Sequence, residues 1–203
     1  MLTLLQDAAL LKDFCRGPRH TVWEIGGGWG GFAYQFKTVC PNVTYVITGQ
    51  PELLLMSAVY LTCLFPAASL RFYEPTAPAS FWDRWDTVDF AFAPESAVQT
   101  MQPSSLNLTV DLMALERMDP QRIERHIARA HHLGSRHFFS ICPAADACPN
   151  GPAAVRPIVD RWYWPHPVSA PQFVTWRLGL NPDSDAIDRT FVLGWRRLHP
   201  REA

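Results

Sequence analysis

Short apolar runs alternate with longer segments of helical pattern along the first part of the chain. The first apolar run, at residues 21–25, precedes a glycine cluster and a helical segment at about residues 30–39. A second run, at residues 43–48, leads through Gln50-Pro51-Glu52 into residues 53–64. Apolar side chains cover nearly all faces of that last segment, which predicts a buried helix. The order strand, helix, strand, helix is typical of a parallel sheet.

The alternation continues through the middle of the chain. Residues 70–73 and 88–93 are the candidates for a third strand, and the second is favoured because Pro94 and a helix-like stretch follow it. Residues 106–112 and 136–142 predict a fourth and a fifth strand.

A long helix is predicted between the last two of these strands, at residues 120–133. Asp119 can cap its first turn, and Pro120 suits the first helical position. Gly134 follows the last apolar position, which is where a helix commonly ends.

The last third of the chain has a different character. Residues 143–171 are rich in Pro and Ala and lack a sustained period, which predicts a lid-like loop. Two β-rich runs follow, at residues 173–180 and 190–198, separated by the turn-forming Asn181-Pro182-Asp183-Ser184. They predict an antiparallel hairpin.

Together these elements predict one Rossmann-like α/β domain over residues 1–203. We expect a doubly wound, mostly parallel seven-stranded sheet with a C-terminal antiparallel hairpin. Residues 1–20 are expected to supply an N-terminal helix, because their start is amphipathic and carries acids rather than the basic segment of a secretion signal.

Composition and charge narrow the classes of partner. With 48% hydrophobic and 18% charged residues, the chain is globular rather than disordered. A formal net charge of -1 provides no overall field to attract nucleic acid or anionic lipid. No apolar run approaches the ~20 residues that span a bilayer. We therefore expect a cytoplasmic protein with a small-molecule partner, and a homodimer or partner protein is a further expectation.

The five cysteines form no CxxC pair. Close pairs are needed for a zinc knuckle, and an even number is typical of a disulfide framework, so neither is indicated. We expect buried free thiols, with only Cys142 and Cys148 placed to oxidise. We also expect no metal site, because the adjacent His131 and His132 diverge on a helix.

A glycine-rich segment, WEIGGGWGG, joins the first predicted strand to the first predicted helix. Glycines let the chain turn tightly there and let its backbone approach a ligand, while the helix start offers free N–H groups. Gly26, Gly28 and Gly31 fit the dinucleotide pattern GxGxxG. The segment from Glu24 to Gly30 fits ExGxGxG equally well.

The two patterns imply different cofactors, and Glu24 distinguishes them. A dinucleotide places a pyrophosphate at the helix start, where a neighbouring carboxylate is unfavourable. S-adenosylmethionine instead carries a sulfonium and an amino group, both positive. We therefore predict an adenosylmethionine site, with a glycine turn that binds nothing as the alternative. The predicted cofactor-binding residues of this segment are Glu24, Gly26, Gly27, Gly28 and Gly30.

The chain also resembles a known family, the putative sugar O-methyltransferases of the class I methyltransferases. EIGGGWGGFAYQF and YVITGQPELLLMSAVYL resemble that family's glycine loop and its second strand with the following helix. Residues 107–118 resemble its fourth-strand segment, DLxxNTxSxxEM, and residues 161–178 resemble a late segment with an aromatic pair and a proline turn. The likeness extends from residue 22 to about residue 198.

The resemblance implies an adenosylmethionine-dependent O-methyltransferase acting on a sugar or another hydroxylated small molecule. Such enzymes usually hold the ribose with an acid at the end of the second strand. This chain has Gly49 there, which leaves Gln50 and Glu52 as the nearby candidates for cofactor binding. Several polar positions of the fourth-strand segment also differ.

Methyl transfer to a hydroxyl benefits from a base near the acceptor. Asp111, at the end of the predicted fourth strand, is the first candidate for this base. An equally favoured role for Asp111 is to cap the turn that follows the strand. Glu116 lies one turn on, and His166 lies in the Pro-rich segment beside an aromatic cluster. His126, His131 and His132 are expected to be surface or half-buried residues of the long helix.

Two other functions remain open. The altered polar positions favour a methyltransferase-like domain that has lost catalysis and acts as a binding module. The GxGxxG overlap favours, less strongly, a nicotinamide-dependent oxidoreductase.

Overall fold

A computed structural model gives the fold for residues 14–15, 18–83, 85–101, 106–143, 152–165, 174–177 and 186–197. The expectations for residues 1–13 and for His166 lie outside these described residues. Within the described ranges, none of the helices has the length and apolar character needed to cross a membrane.

Within the described residues, a nine-stranded sheet forms the centre of the molecule. Its strands are β1 His20–Ile25, β2 Val43–Gly49, β3 Leu70–Phe72, β4 Phe90–Pro94, β5 Leu106–Leu112, β6 His137–Pro143, β7 Tyr163–Pro165, β8 Val174–Arg177 and β9 Ala186–Arg196. The spatial order is β3-β4-β2-β1-β5-β6-β9-β7, with β8 paired to β9. Strands β1 to β6 are parallel, and β9 is antiparallel to its three partners.

This topology confirms the mostly parallel α/β sheet. Strand β8 pairs antiparallel with residues 186–189 at the start of β9, whereas the run predicted at residues 190–198 pairs with β6 and β7 instead. The predicted count of seven strands was too low. The weaker third-strand candidate forms β3 at the sheet edge, and β7 adds a short strand from the segment predicted to be a loop.

Helices cover both faces of the sheet, which is the doubly wound arrangement. They are α1 Gly31–Val39, α2 Pro51–Leu64, α3 Pro78–Trp82, α4 Pro120–His132 and α5 Pro152–Trp162. One core contains α1 and α2 with side chains such as Phe36, and the other contains α4 and α5 with side chains such as Ile127. Helix α4 starts as predicted, because the carboxylate of Asp119 accepts the Arg122 N–H at 2.9 Å.

The predicted lid at residues 143–171 is wrong for its central part. Residues 152–165 form α5 and β7, and α5 packs against α4. Val155, Ile158 and Val159 are buried at helical spacing, although Pro157 lies inside the helix. The abundance of Pro and Ala obscured this periodicity in the sequence.

Helix α2 is not the buried helix that its composition predicts. Leu54, Ala58 and Leu61 face the core, whereas Leu55 and Met56 are 65% and 57% exposed. A helix on the face of a sheet can bury only one side, so the remaining apolar side chains of α2 lie at the surface.

The expectation of free, buried thiols is also incorrect. Cys15 and Cys40 form a disulfide, which links the segment before β1 to the end of α1. Cys63 is a free thiol and is exposed. Cys148 lies outside the described residues. The disulfide joins segments that the fold brings together but that are distant in sequence.

Candidate functional site

The site lies at the point in the sheet where the order of the strands reverses. From β1 the chain moves to β2 on one side and reaches β5 on the other, so a crevice opens beyond the carboxyl end of β1. A cleft of about 680 Å³ occupies this position. Its volume is within the range of roughly 300–1,000 Å³ that small-molecule sites have. The lining includes residues 24–29, 48–50, 53–54 and 112–114, together with Glu95, Arg122 and His126.

The glycine loop forms one wall of the cleft. A Cβ atom at Gly26 would lie 2.3 Å from the Ala114 Cβ, and one at Gly27 would lie 2.4 Å from a methyl carbon of Ile47. Both positions therefore exclude side chains by close packing. Gly28 differs, because its φ is +53° and a Cβ there would meet nothing within 4 Å. Its missing side chain leaves space open on the cleft side.

Hydrogen bonds hold this loop in place. The Gly26 N–H donates to the Thr48 carbonyl at 2.7 Å, and the buried Ser57 hydroxyl donates to the Gly28 carbonyl at 2.6 Å. Gly30 has φ +86° and a hypothetical Cβ only 3.3 Å from Leu61. Gly30 is not part of the cleft lining, so it shapes the loop rather than facing a ligand.

Glu24 places a carboxyl group at the cleft. The residue is 2% exposed, and its Oε2 accepts the Tyr45 hydroxyl at 2.9 Å. Desolvation raises the pKa of Glu24 to about 7; the Tyr45 hydrogen bond partly opposes that rise, and nearby Asp111 adds to it. At neutral pH this carboxyl group is therefore close to its titration midpoint. A cation in the cleft would favour its ionised form.

The region after β2 contains the candidates for ribose binding. Gln50 lines the cleft, whereas Glu52 is exposed in the first turn of α2 and is not part of the lining. A Cβ at Gly49 would lie 3.7 Å from the nearest atom, which is ordinary contact. The position is thus sterically able to carry a side chain.

Asp111 is fully buried, and both of its carboxylate oxygens are engaged. Oδ1 accepts the N–H groups of Ala114 and Leu115 at 2.9 and 3.0 Å, and Oδ2 accepts the Ser140 hydroxyl at 2.6 Å. Burial raises the pKa of Asp111 to about 6, against the effect of these hydrogen bonds. The contacts are those of a turn cap, one of the two roles that the sequence left open. Neither Asp111 nor the half-buried Glu116 lines the cleft.

A polar cluster that the sequence did not single out also lines the cleft. Glu95 follows β4, and Arg122 Nη2 donates to its two carboxylate oxygens at 2.7 and 2.8 Å. His126 lies one turn further along α4, with its ring stacked on Trp23 at a centroid distance of 6.3 Å. Glu95 belongs to a different element from Arg122 and His126, so no sequence spacing connects this carboxylate to the two side chains of α4.

The histidines of α4 are less exposed than expected. His126 and His131 are both 4% exposed, and only His132 is at the surface. The signal was present in the sequence, since His126 shares the helical face of Ile123 and Ile127. Among the described residues, no three His, Cys, Asp or Glu side chains lie close enough together to hold a metal ion.

No protein-family model and no curated protein sequence matches this chain. Solved structures do match it, at low sequence identity. Magnesium protoporphyrin IX methyltransferase from Synechocystis, crystallised with bound S-adenosylmethionine, has a TM-score of 0.63 and 10% identity over 97% of this chain and 79% of that chain. The N-methyltransferase NodS from Bradyrhizobium japonicum has a TM-score of 0.61 and 11% identity over 94% of each chain.

A third match is to part of a larger protein. The bifunctional kinase-methyltransferase WbdD has a TM-score of 0.60 and 12% identity over 96% of this chain and 38% of that chain. Together with the sheet order and the helices on both faces, these likenesses show that the chain has the class I methyltransferase fold.

Proposed function

We propose that this protein is an S-adenosylmethionine-dependent O-methyltransferase that acts on a sugar or another hydroxylated small molecule. The observation that carries the proposal is the open cleft at the carboxyl end of β1, which combines a glycine wall with the buried carboxyl group of Glu24. The fold shared with methyltransferases of known structure supports it.

The residues present fit the proposed cofactor. Its sulfonium and amino groups are positive, and Glu24 is the acidic group at the glycine loop. Gly28 leaves room beside the backbone, because no atom lies within 4 Å of where its Cβ would be. The Gln50 amide offers hydrogen bonds to a ribose, and Leu53 and Leu54 supply apolar contact for an adenine. Bound adenosylmethionine would supply the transferable methyl group.

Two alternatives are weighed against this proposal. A nicotinamide dinucleotide would bring its pyrophosphate towards Glu24, and this contact is unfavourable when the carboxyl group is ionised. A methyltransferase-like binding module remains the stronger rival, because Gly49 provides no acid for the ribose and Asp111 is engaged in the turn after β5.

Calorimetry with adenosylmethionine, adenosylhomocysteine and NAD separates these functions. Binding of the first two supports the proposal, binding of NAD alone supports an oxidoreductase, and binding of none of the three refutes a cofactor site in this cleft. Release of adenosylhomocysteine from adenosylmethionine, measured with a panel of monosaccharides and nucleotide sugars, then tests turnover. Binding without turnover on any acceptor would favour the binding module.

A cytoplasmic location and a second subunit at the acceptor side remain predictions as well. The Cys15–Cys40 disulfide makes the first of these testable, since reducing compartments rarely preserve disulfides. Alkylation of the protein directly in cell lysates would show whether the pair is reduced there. Light scattering of the purified chain would give its oligomeric state.

A further inference from the structure

The imidazole of His126 has one ring nitrogen bonded and the other unbonded, beside the proposed active site. Nδ1 lies 2.8 Å from the Arg122 carbonyl oxygen. Nε2 is buried and has no hydrogen-bond partner. Buried polar groups without partners are rare in folded proteins and call for an explanation. Because His126 lines the cleft, a ligand bound there can provide the missing partner.

The bonded nitrogen determines the tautomer. A carbonyl oxygen can only accept a hydrogen bond, so Nδ1 must carry the hydrogen. In the neutral ring Nε2 then presents a lone pair and acts as an acceptor. Burial lowers the pKa of His126 below its ordinary value, which favours this neutral form at physiological pH.

The charged groups that face His126 leave its lone pair available. Glu95 approaches from the 3₁₀ helix Glu95–Thr100, with Oε1 3.9 Å from Nε2. A carboxylate oxygen and an unprotonated ring nitrogen are both acceptors, so they do not bond to each other. Arg122 holds the same carboxylate, and Arg122 and Arg125 further lower the His126 pKa while Glu95 opposes them.

We propose that His126 is the general base of methyl transfer and that the acceptor group is a hydroxyl placed at its Nε2. The proposal rests on the function proposed above and adds to it the group that takes up the proton of the acceptor hydroxyl. As the hydroxyl oxygen forms its bond to the methyl carbon, the methyl–sulfur bond breaks and its electron pair stays on sulfur. The hydroxyl proton moves to Nε2, and the resulting imidazolium is stabilised by the Glu95 carboxylate.

The first test needs no acceptor. Nitrogen-15 NMR of the full chain, labelled at histidine and saturated with adenosylhomocysteine, reports the tautomer and titration of His126, assigned with a His126→Gln variant. We expect the Nδ1–H tautomer and a pKa of His126 below the ordinary histidine value of 6.5. An Nε2–H tautomer would overturn the proposal, because Nε2 would then have no lone pair for the hydroxyl proton. Failure of adenosylhomocysteine to bind the wild type would instead overturn the proposed function.

The second test uses turnover on an acceptor that the wild type methylates. His126→Gln should lower kcat by roughly 10²–10⁴-fold, the usual contribution of general acid–base catalysis, and leave adenosylmethionine affinity unchanged. His132→Gln, on the exposed face of the same helix, should match the wild type.

The pH profile separates a base from a structural residue. With adenosylmethionine kept saturating at every pH, kcat/KM for the acceptor should rise with pH through the His126 pKa in the wild type. In His126→Ala this rise should be absent, and activity should recover with added imidazole. A His126→Gln variant with wild-type kcat, or an unchanged profile in His126→Ala, would show that His126 is not the base.

Discussion

Replacing Glu24 by Gln should strengthen the fold and weaken cofactor binding at the same time. Glutamine keeps an oxygen for the Tyr45 hydroxyl but cannot ionise. The folded pKa of Glu24, about 7, is higher than its ordinary value of 4.5, so the bound proton stabilises the folded state. That stabilisation is complete below the unfolded pKa and is lost as the pH rises through the folded pKa.

The magnitude follows from the size of the pKa shift. Each pKa unit corresponds to about 1.4 kcal/mol, so the ionised carboxylate costs the folded wild type on the order of 3 kcal/mol above neutral pH. Glu24→Gln avoids this cost. The variant should therefore exceed the wild type in unfolding free energy by up to about 3 kcal/mol at pH 8. The difference should shrink towards zero at pH 4.5.

Urea unfolding of both proteins at a series of pH values measures this difference and cancels the contributions of other titrating groups. Glu52→Gln, which replaces an exposed acid in the first turn of α2, is the matched control and should leave stability unchanged. Calorimetry should show weaker adenosylmethionine binding by Glu24→Gln. Wild-type affinity should fall about tenfold per pH unit below the Glu24 pKa, because the cation then competes with a proton.

A stability difference between Glu24→Gln and wild type that does not change with pH would refute the conclusion that burial makes ionisation of the Glu24 carboxyl group costly. Equal adenosylmethionine affinity in the two proteins would refute the placement of the cofactor's positive groups beside Glu24.

The remaining predictions concern the cleft wall and the disulfide. Gly28→Ala and Gly134→Ala both put a Cβ at positive φ and should each cost about 1–2 kcal/mol in urea unfolding, yet only Gly28→Ala should weaken adenosylhomocysteine binding in calorimetry. Gly49→Asp should tighten that binding by about tenfold if the ribose lies there, the effect of one good hydrogen bond to a charged group. Unchanged affinity would place the ribose elsewhere. Cys15→Ser should lower the unfolding free energy by about 3 kcal/mol, because it opens a cross-link between residues 25 apart. Dithiothreitol should lower the unfolding free energy of the wild type by the same amount and should leave that of Cys15→Ser unchanged, and urea unfolding with and without the reductant measures both.

The sheet was largely predictable because its central strands are buried on both faces. Parallel strands of this kind read as continuous apolar runs, and β2 and β5 were located to within a residue of their ends. Strand β3 and helix α5 were harder to predict. A three-residue edge strand carries little pattern, and the helix contains Pro157 in its interior.

The candidate site was predictable on one side only. Its glycine wall and Glu24 are contiguous in sequence, so a motif can identify them. The partners of His126 are not contiguous, since Glu95 follows β4 and Trp23 belongs to β1. Asp111 was located correctly at the end of β5. The sequence could not show that its carboxylate turns towards Ser140 and the following turn instead of the cleft.

The contact between Gly26 and Ala114 links two turns that are far apart in the chain. Because a methyl group added at Gly26 would lie only 2.3 Å from the Ala114 Cβ, neither turn can accept a larger side chain unless the other withdraws. Substitutions at the two positions should therefore be correlated during evolution. A larger side chain at residue 114 should push the ends of β1 and β5 apart and widen the cleft beyond them. The width of the cleft would then depend on the bulk of a single small residue in its lining.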